Sequence, residues 1–262
     1  MTSDDAPVPK RSRRFGWRRV TLWIVLGLVV APILVSSARL ALRERPHWST
    51  ASHVSTGQAP DPALTPEAVI QVYAARAWGL RGSVAVHTWI TSKRSNADHY
   101  TRYEIIGWYL YRGNSTLVRG PGRPDAMWFS NYPDLLVDLR GDGVEELIDK
   151  VEAAVDAYPY ANTYRTWPGP NSNTFTAFVG RQVPELEIDL PPTAVGKDYL
   201  ANGSVVGPTP SGTGFQFSLL GLIGVMAALK EGIELNILGL VVGIDLQPPA
   251  LKLPGLGRLG MK

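Results

Sequence analysis

The sequence predicts an α+β fold, an antiparallel sheet with packed helices, carried by one N-terminal transmembrane helix. Three observations lead to this prediction. A long uncharged apolar run follows a basic tail, runs of β-branched and aromatic residues come next, and amphipathic helical spacing appears after them. The length of 262 residues and a hydrophobic content of 45% suit a packed core rather than a disordered chain.

The first element is the apolar run at residues 20–38, which contains 19 residues without a charge. As a helix it would be about 28 Å long, close to the hydrocarbon thickness of a bilayer, about 30 Å. We therefore predict a transmembrane helix over residues 20–42. The alternative is a signal peptide that is cleaved after Ser36, Ser37 and Ala38, which are small residues of the kind found at cleavage sites.

The positive charge of the chain is concentrated at its N-terminus. Residues 1–19 hold six bases and two acids, whereas the rest of the chain holds 20 bases and 21 acids. We expect this basic tail to stay in the cytoplasm of a bacterial cell, so that the helix crosses the inner membrane once and the main domain lies in the periplasm. A nucleic-acid-binding domain would carry its positive charge on the folded body, so the balanced body argues against nucleic acid as a partner.

A tether and a core domain are predicted to follow the helix. The tether, residues 43–65, is rich in Pro, Ser, Thr and Ala and has little apolar periodicity. The core domain, residues 66–200, is predicted to begin with a helix that Thr65 caps and that ends near Ala77. Its other elements are predicted as strands at residues 83–90, 103–112 and 135–139 and as helices at residues 144–158 and 173–183.

Residues 201–262 differ from the rest of the chain because glycines punctuate an aliphatic sequence. The longest apolar run, residues 219–229, is too short to span a membrane. Apolar and polar residues alternate over residues 233–237, as in a strand. We predict a Gly-rich β hairpin followed by a Pro-rich tail. The aliphatic face of this hairpin either packs on the main domain or approaches the membrane, and packing on the domain is favoured.

The residue inventory excludes several kinds of site. The chain has 0 cysteines, which rules out disulfides, thiolate metal sites, iron–sulfur clusters and cysteine nucleophiles. The four histidines, His47, His53, His87 and His99, do not show the spacing typical of metal ligands. We therefore expect no metal ion and no other cofactor.

One constellation of residues points to chemistry. The loop WPGPNSNTF, residues 167–175, delivers Asn171 and Ser172 to the start of a predicted helix. A hydroxyl there faces unpaired backbone amides, which can stabilise an oxyanion. His87, in the middle of a predicted strand, could act as the base that deprotonates Ser172. The alternative is that Asn171 or Ser172 only caps the helix and that His87 is a core residue.

Further residues complete the candidate site. Glu104, His99 and Tyr103 are candidates for the polar group that would orient the imidazole of His87. The candidate catalytic residues are thus Ser172, His87, Glu104 and His99, and the candidate pocket residues are Asn171, Asn173, Tyr103 and Trp167.

The segment from Arg76 to Tyr199 resembles a bacterial family described as domain of unknown function 3750. The motifs that carry this resemblance are VHTWI, RYEIIGW, TYRTWPGPNSNTF, VPEL and LPPTAVGKDYL. The segments SGTGFQFSLLGLIG, EGIELNILGL and PALKLPGLGRLG are similar to the tail of the same family. This resemblance implies an organisation of the chain but no activity.

The order of elements is also similar, more distantly, to circularly permuted papain-like domains of the lecithin–retinol acyltransferase type. In that pattern a strand His, a second polar strand residue and a helix precede an Asn-Cys pair, with Phe three residues after the Cys. Here His87, then His99 or Glu104, and later Asn171-Ser172 with Phe175 occupy these places. The resemblance implies a papain-like permuted core in which Ser172 replaces the nucleophilic cysteine, and a hydroxyl is a much weaker nucleophile than a thiol.

Two functions follow from these observations. The favoured one is non-catalytic: a membrane-anchored protein whose pocket binds a peptide, glycan or lipid of the bacterial envelope, with the membrane itself as a partner through residues 20–42. The alternative is a serine-dependent amide or ester hydrolase or acyltransferase that uses Ser172 and His87. The sequence alone does not decide whether the chain is an enzyme.

Overall fold

The computed structural model describes residues 16–43 and 46–260. Its body contains a five-stranded sheet, two helices that pack on one face of that sheet, and a seven-stranded sheet. All strand pairs are antiparallel, so the predicted α+β fold with an antiparallel sheet is confirmed. Residues 1–15 of the predicted basic tail, and residues 44 and 45 of the predicted tether, lie outside the described part of the chain.

One continuous helix opens the described chain. Helices α1 (Trp17–Val25) and α2 (Ala31–Ala41) are joined by a π-helical turn at Leu26–Val30. Pro32, the second residue after this turn, has no N–H to donate, which accounts for the local change in the hydrogen-bond ladder. Within residues 16–43 and 46–260, the stretch Arg19–Ala41 is the single helix that is long and apolar enough to cross a membrane, with 23 residues.

The C-terminal half of this helix is fixed to the body. Ser36 Oγ donates a hydrogen bond of 2.6 Å to the carbonyl of Ser83, at the end of the 3-10 helix Gly79–Ser83. Gly255 lies against the same place, because a Cβ added to it would come within 2.9 Å of the Ser83 carbonyl and 3.1 Å of Ser36 Cβ. The helix therefore has a defined position beside the sheets rather than hanging from a free linker.

The five-stranded sheet consists of β1 (Val69–Arg76), β2 (Val86–Lys93), β3 (Thr101–Ile105), β4 (Leu117–Pro121) and β5 (Asp134–Arg140). Their order in the sheet is β4-β3-β2-β1-β5, with β2 at its centre. β1 and β2 pair along eight residues, whereas β2 and β3 pair along only three. The start of β2 is thus free of β3, and this gap leaves room for the candidate site.

The predicted helix between Thr65 and Ala77 is wrong, because this segment forms β1. Every residue from Val69 to Ala75 is buried, since the strand pairs with β2 and β5 and is covered on both faces. A strand buried on both faces shows no alternation of apolar and polar residues, and periodicity does not distinguish it from a buried helix. The strand predicted at residues 103–112 is also too long, because a 3-10 helix, Gly107–Arg112, follows β3.

Both later helices of the core domain are present as predicted. α3 (Val144–Asp156) and α4 (Ser172–Gln182) pack on the same face of the five-stranded sheet. Ile148, Val151 and Phe175 are completely buried between these helices and the sheet. The main core of the body therefore lies on this side of the sheet.

The segment predicted as a tether packs on the body, and its described residues 46–65 contain no helix. Asp125 binds this segment to the body. Its buried carboxylate accepts hydrogen bonds from Ser55 Oγ at 2.7 Å and from the backbone N–H of Gln58 at 2.6 Å. The contact brings Trp48 and His53 to the rim of the candidate site.

A seven-stranded sheet follows the core domain, where the sequence predicts only a hairpin and a Pro-rich tail. The predicted hairpin is one strand pair inside this sheet, formed by Ile223–Ala228 and Gly232–Ile237. The prediction that the aliphatic face packs on the main domain is wrong, since Leu235 is 46% exposed whereas Glu234 and Asn236 are buried. The strands are β6 (Val206–Pro208), β7 (Gly214–Leu219), β8 (Ile223–Ala228), β9 (Gly232–Ile237), β10 (Leu240–Leu246), β11 (Pro249–Leu253) and β12 (Gly257–Gly260).

Candidate functional site

Strand β2 presents two different environments, because alternate residues of a strand point to opposite faces of the sheet. Thr88 faces α4, where its hydroxyl donates a hydrogen bond of 3.0 Å to Asn173 Oδ1. His87 and Trp89 point to the other face, where Trp89 packs in a second apolar cluster that includes Trp128. The imidazole of His87 therefore lies on the side of the sheet away from α4.

His87 is held by a carboxylate on the neighbouring strand. Its Nε2 atom lies 2.8 Å from Glu104 Oε2, and both residues are buried. Arg102, two residues before Glu104 on the same face of β3, donates to both carboxylate oxygens at 2.9 Å. The guanidinium also covers the ring of Trp89 at 4.1 Å from its centroid. This arrangement fixes the carboxylate, and the carboxylate fixes the imidazole.

Burial and neighbouring charges determine which of the two residues, Glu104 or His87, is charged at neutral pH. Burial alone would raise the pKa of Glu104, but the hydrogen bond from His87 and the charge of Arg102 lower this pKa to about 2. Burial lowers the pKa of His87, and the contact with Glu104 does not fully offset it. At neutral pH the carboxylate is therefore ionised and the imidazole neutral. Since an ionised carboxylate only accepts hydrogen bonds, Nε2 of His87 carries the proton and Nδ1 has a free lone pair.

A stack of aromatic rings covers the imidazole. The rings of His87 and Trp128 are parallel within 13°, with centroids 3.8 Å apart. Trp108 also stacks on Trp128, with ring centroids 5.9 Å apart, and Phe129 and Trp128 form a T-shaped pair at 5.1 Å. Stacking and the hydrogen bond to Glu104 together leave the imidazole one orientation.

This stack forms part of the wall of a large cavity with a volume of about 1160 Å³. Eight Trp, Tyr and Phe side chains line it. They come from the tether, from the residue before the 3-10 helix Gly79–Ser83, from the 3-10 helix Gly107–Arg112, from the loop between β4 and β5 and from the loop before α4. Arg81 and Arg112, which are exposed, also contribute to its lining. The cavity is thus mostly aromatic inside with cationic groups at its solvent-facing margin.

The N-terminus of α4 forms another part of the cavity wall. Asn171 caps the helix: its Oδ1 accepts from the amides of Asn173 and Thr174 at 2.9 and 3.1 Å, and Thr174 Oγ1 accepts from the amide of Asn171. Ser172 occupies the first helical position and lines the cavity. Asn171 therefore has a structural role, in agreement with the capping interpretation of the sequence.

Ser172 and His87 share the cavity but are not joined. Within the described residues, no hydrogen bond connects the two side chains. The contact between β2 and Ser172 is instead made by Thr88, the neighbour of His87, whose hydroxyl donates to the carbonyl of Ser172 at 3.3 Å. Ser172 Oγ and His87 Nδ1 have no hydrogen-bond partner in the described part of the chain, and neither atom is fully enclosed. Both residues line the cavity.

The other predicted site residues divide into two groups. Asn173 and Trp167 line the cavity, where Asn173 Nδ2 donates to the carbonyls of Val86 and Val195 and Trp167 Nε1 donates to the carbonyl of Leu238. His99 and Tyr103 do not line it. His99 is exposed and bonds to Asp98, and Tyr103 lies in the core, where its hydroxyl bonds to Ser92 and Glu152. Of the three candidates for orienting His87, only Glu104 contacts it.

Sequence reasoning missed the aromatic wall and Arg102. The spacing of Arg102 and Glu104 was a usable signal, because residues two apart in a strand share a face, but the strand predicted at residues 103–112 begins one residue after Arg102. Trp108, Trp128 and Phe129 lie in irregular segments, where no periodicity indicates the direction of a side chain. Within residues 16–43 and 46–260, no group of three or more His, Asp or Glu side chains is placed to hold a metal ion.

Comparison with known proteins identifies one family. The profile of a protein family of unknown function, DUF3750, matches residues 67–199, just over half of the chain. Comparison with curated proteins and with solved structures gave no match, so the distant similarity to permuted papain-like domains stays a prediction. The matched segment contains the five-stranded sheet, α3, α4, and the His87–Glu104 pair. The chain belongs to the DUF3750 family.

Proposed function

We propose that this protein is a membrane-anchored binding protein whose aromatic cavity takes an amphipathic anionic lipid of the bacterial envelope. The observation that carries the proposal is the cavity itself, about 1160 Å³ in volume and lined by eight aromatic side chains. Ligand sites of this size are mostly apolar with a few oriented polar groups, and here the imidazole of His87, held by Glu104, would be such a group. The exposed Arg81 and Arg112 suit a negatively charged headgroup.

The position of the cavity favours a lipid over a peptide or glycan. Trp78 and Arg81, on one side of the cavity, belong to the segment that receives the membrane helix through the Ser36–Ser83 hydrogen bond. A lipid that leaves the bilayer along the helix would therefore meet a segment that lines the cavity. We also propose that the basic tail lies in the cytoplasm and the body in the periplasm, since residues 1–19 hold six bases.

Removing one of the aromatic rings that line the cavity should weaken ligand binding. We expect Trp108→Ala to lower the affinity for an anionic phospholipid about tenfold, equivalent to about 1.4 kcal/mol, because a stacked aromatic surface is lost. The measurement is the amount of lipid that co-purifies with the full chain in detergent, quantified by mass spectrometry. Tyr132→Ala is the matched control, since Tyr132 is an exposed aromatic residue that does not line the cavity. Equal lipid recovery from both variants would contradict the proposal.

A second function, ester or amide cleavage by Ser172, is favoured by one observation: the neutral imidazole of His87 is oriented by Glu104 and offers Nδ1 to the cavity. The lack of a Ser172–His87 hydrogen bond makes it the weaker candidate. On the binding proposal, Ser172→Ala should bind lipid as the wild type does, and a fluorophosphonate probe should not label Ser172. Labelling of the wild type that disappears in Ser172→Ala would support the hydrolase instead.

A further inference from the structure

The seven-stranded sheet has its polar and apolar faces reversed relative to a sheet that faces water. On β9 the side chains of Ile233, Leu235 and Ile237 are 49, 46 and 53% exposed, whereas Glu234 and Asn236 are 2 and 3% exposed. The strands β7, β8 and β10 repeat this alternation with apolar residues outside. In an antiparallel sheet with one face in water, the polar residues point outward.

The buried face of the sheet fixes this orientation. Glu234 forms an ion pair with Lys197, and Asn236 Nδ2 donates to Asp198 Oδ2 at 2.6 Å. Gln216 on β7 accepts from Arg181 of α4 at 2.8 Å. A shift of register by one residue would move every one of these polar groups outward and separate it from its partner. The apolar face is therefore held outward by the body itself.

The outward face is large and extends into its turns. Four strands about 4.8 Å apart and about six residues long give a surface of about 400 Å², which matches the largest apolar patch of a typical monomer, a patch that is often functional. Leu220 and Leu238 occupy the turns β7–β8 and β9–β10 with φ of 52° and 55° and are more than half exposed. Such turn positions favour Gly, Asn or Asp, so leucine there indicates contact with an apolar medium.

We propose that this face, formed by the outward side chains of β7–β10 and defined here as the sheet face, is embedded in the lipid bilayer beside the N-terminal helix. β10 packs against the turn Leu26–Val30, which lies near the middle of the apolar stretch Arg19–Ala41. A bilayer that surrounds the middle of this helix also meets the adjoining sheet. The helix and the sheet face thus form one continuous apolar surface, and the inference rests on the proposed membrane anchoring of the helix.

The absence of cysteine in the chain allows a direct depth measurement. The full chain with Leu235→Cys is labelled with a fluorophore and reconstituted in vesicles of phosphatidylethanolamine and phosphatidylglycerol, with nitroxide quenchers on the acyl chains. Leu34→Cys, on an exposed position of the helix, reports membrane insertion of the anchor, and Glu146→Cys, exposed on α3, reports the aqueous body. We expect quenching at position 235 to be several-fold above that at 146 and similar to that at 34.

The outcomes separate the sheet face from the anchor. Quenching at position 34 without quenching at 235 would overturn the proposal while leaving the anchor in place. No quenching at either position would remove the anchor and the sheet face together. If position 235 is unquenched and spin labels there show close mutual proximity, the sheet face is covered by a second copy of the chain, which also overturns the proposal.

Discussion

Replacing Glu104 by Gln is expected to lower the free energy of unfolding by about 3–5 kcal/mol at pH 7, because the substitution leaves a buried guanidinium without its counterion. The side chain of Arg102 is 11% exposed, and its charge is matched by Glu104 alone among the ion pairs of the described residues. The substituted amide would keep the shape of the side chain and lose the charge that also orients His87. The measurement is urea denaturation of the full chain in detergent, followed by tryptophan fluorescence.

The pH dependence of this loss identifies its cause. The pKa of Glu104 lies at about 2 in the folded chain, below its ordinary value of 4.5. A carboxylate with a lowered pKa contributes stability that is complete above the unfolded pKa and is lost as the pH falls through the folded pKa. The difference between the wild type and Glu104→Gln should therefore be constant above about pH 5 and shrink between about pH 4.5 and pH 2.

A matched substitution provides the control for Glu104. Glu146 is an exposed carboxylate in the first turn of α3, without an ion pair among the described residues. Glu146→Gln should change the free energy of unfolding by no more than about 0.5 kcal/mol at any pH. If Glu104→Gln lowers the free energy of unfolding equally at pH 7 and pH 2, the stabilising effect of Glu104 comes from its packing and not from its charge.

The parts of the fold that are predicted correctly from the sequence are those in which one periodicity dominates. α3 can be predicted from the sequence because four apolar residues recur at helical spacing. These residues, Val144, Ile148, Val151 and Val155, are all buried in the structure. β1 cannot be predicted from its periodicity, because a central strand that is covered on both faces shows no alternation of apolar and polar residues. The difference lies in burial, which a single sequence does not give.

The candidate site is predictable as a set of residues but not as a geometry. His87, Glu104 and Ser172 lie at one cavity or beside it, as the order of motifs in the sequence indicates. The sequence does not reveal which face of β2 receives α4. That choice places Thr88, rather than His87, beside the helix start and leaves Ser172 without a hydrogen bond to the imidazole.

Which face of the seven-stranded sheet points outward could not be predicted from the sequence, for a related reason. The alternation of apolar and polar residues at 233–237 is plain in the sequence, and it predicts a buried apolar face because apolar faces usually are buried. The partners of the polar face, Lys197, Asp198 and Arg181, belong to the core domain, and their contacts appear only in three dimensions. Long-range pairing of buried charges, rather than local pattern, decides which face points outward.

The same charges give the second large prediction, a loss of about 3–5 kcal/mol in the free energy of unfolding for Glu234→Gln. Glu234 pairs with Lys197 and, at 3.0 Å, with Lys252, and the side chains of both lysines are 1% exposed. Burial alone would lower the pKa of Lys197, but the charges of Glu234 and Asp198 raise it, so that the lysine is protonated at neutral pH. Without Glu234 this buried charge loses its close partner and keeps Asp198, at 3.9 Å, as its remaining ion-pair partner among the described residues. Urea denaturation in detergent will measure the resulting loss.

A double-mutant cycle tests whether the loss comes from the unpaired lysine. Lys197→Met combined with Glu234→Gln removes both charges, and Lys252 keeps Asp245 and Asp189 as partners at 3.0 and 3.1 Å. We therefore expect the double variant to be more stable than Glu234→Gln alone, with strong coupling between the two sites. Glu187→Gln, which breaks the exposed pair with Lys230, should cost less than about 1 kcal/mol. Additive losses in the cycle would mean that hydrogen bonds and packing, rather than paired charges, hold the polar face of the sheet on the body.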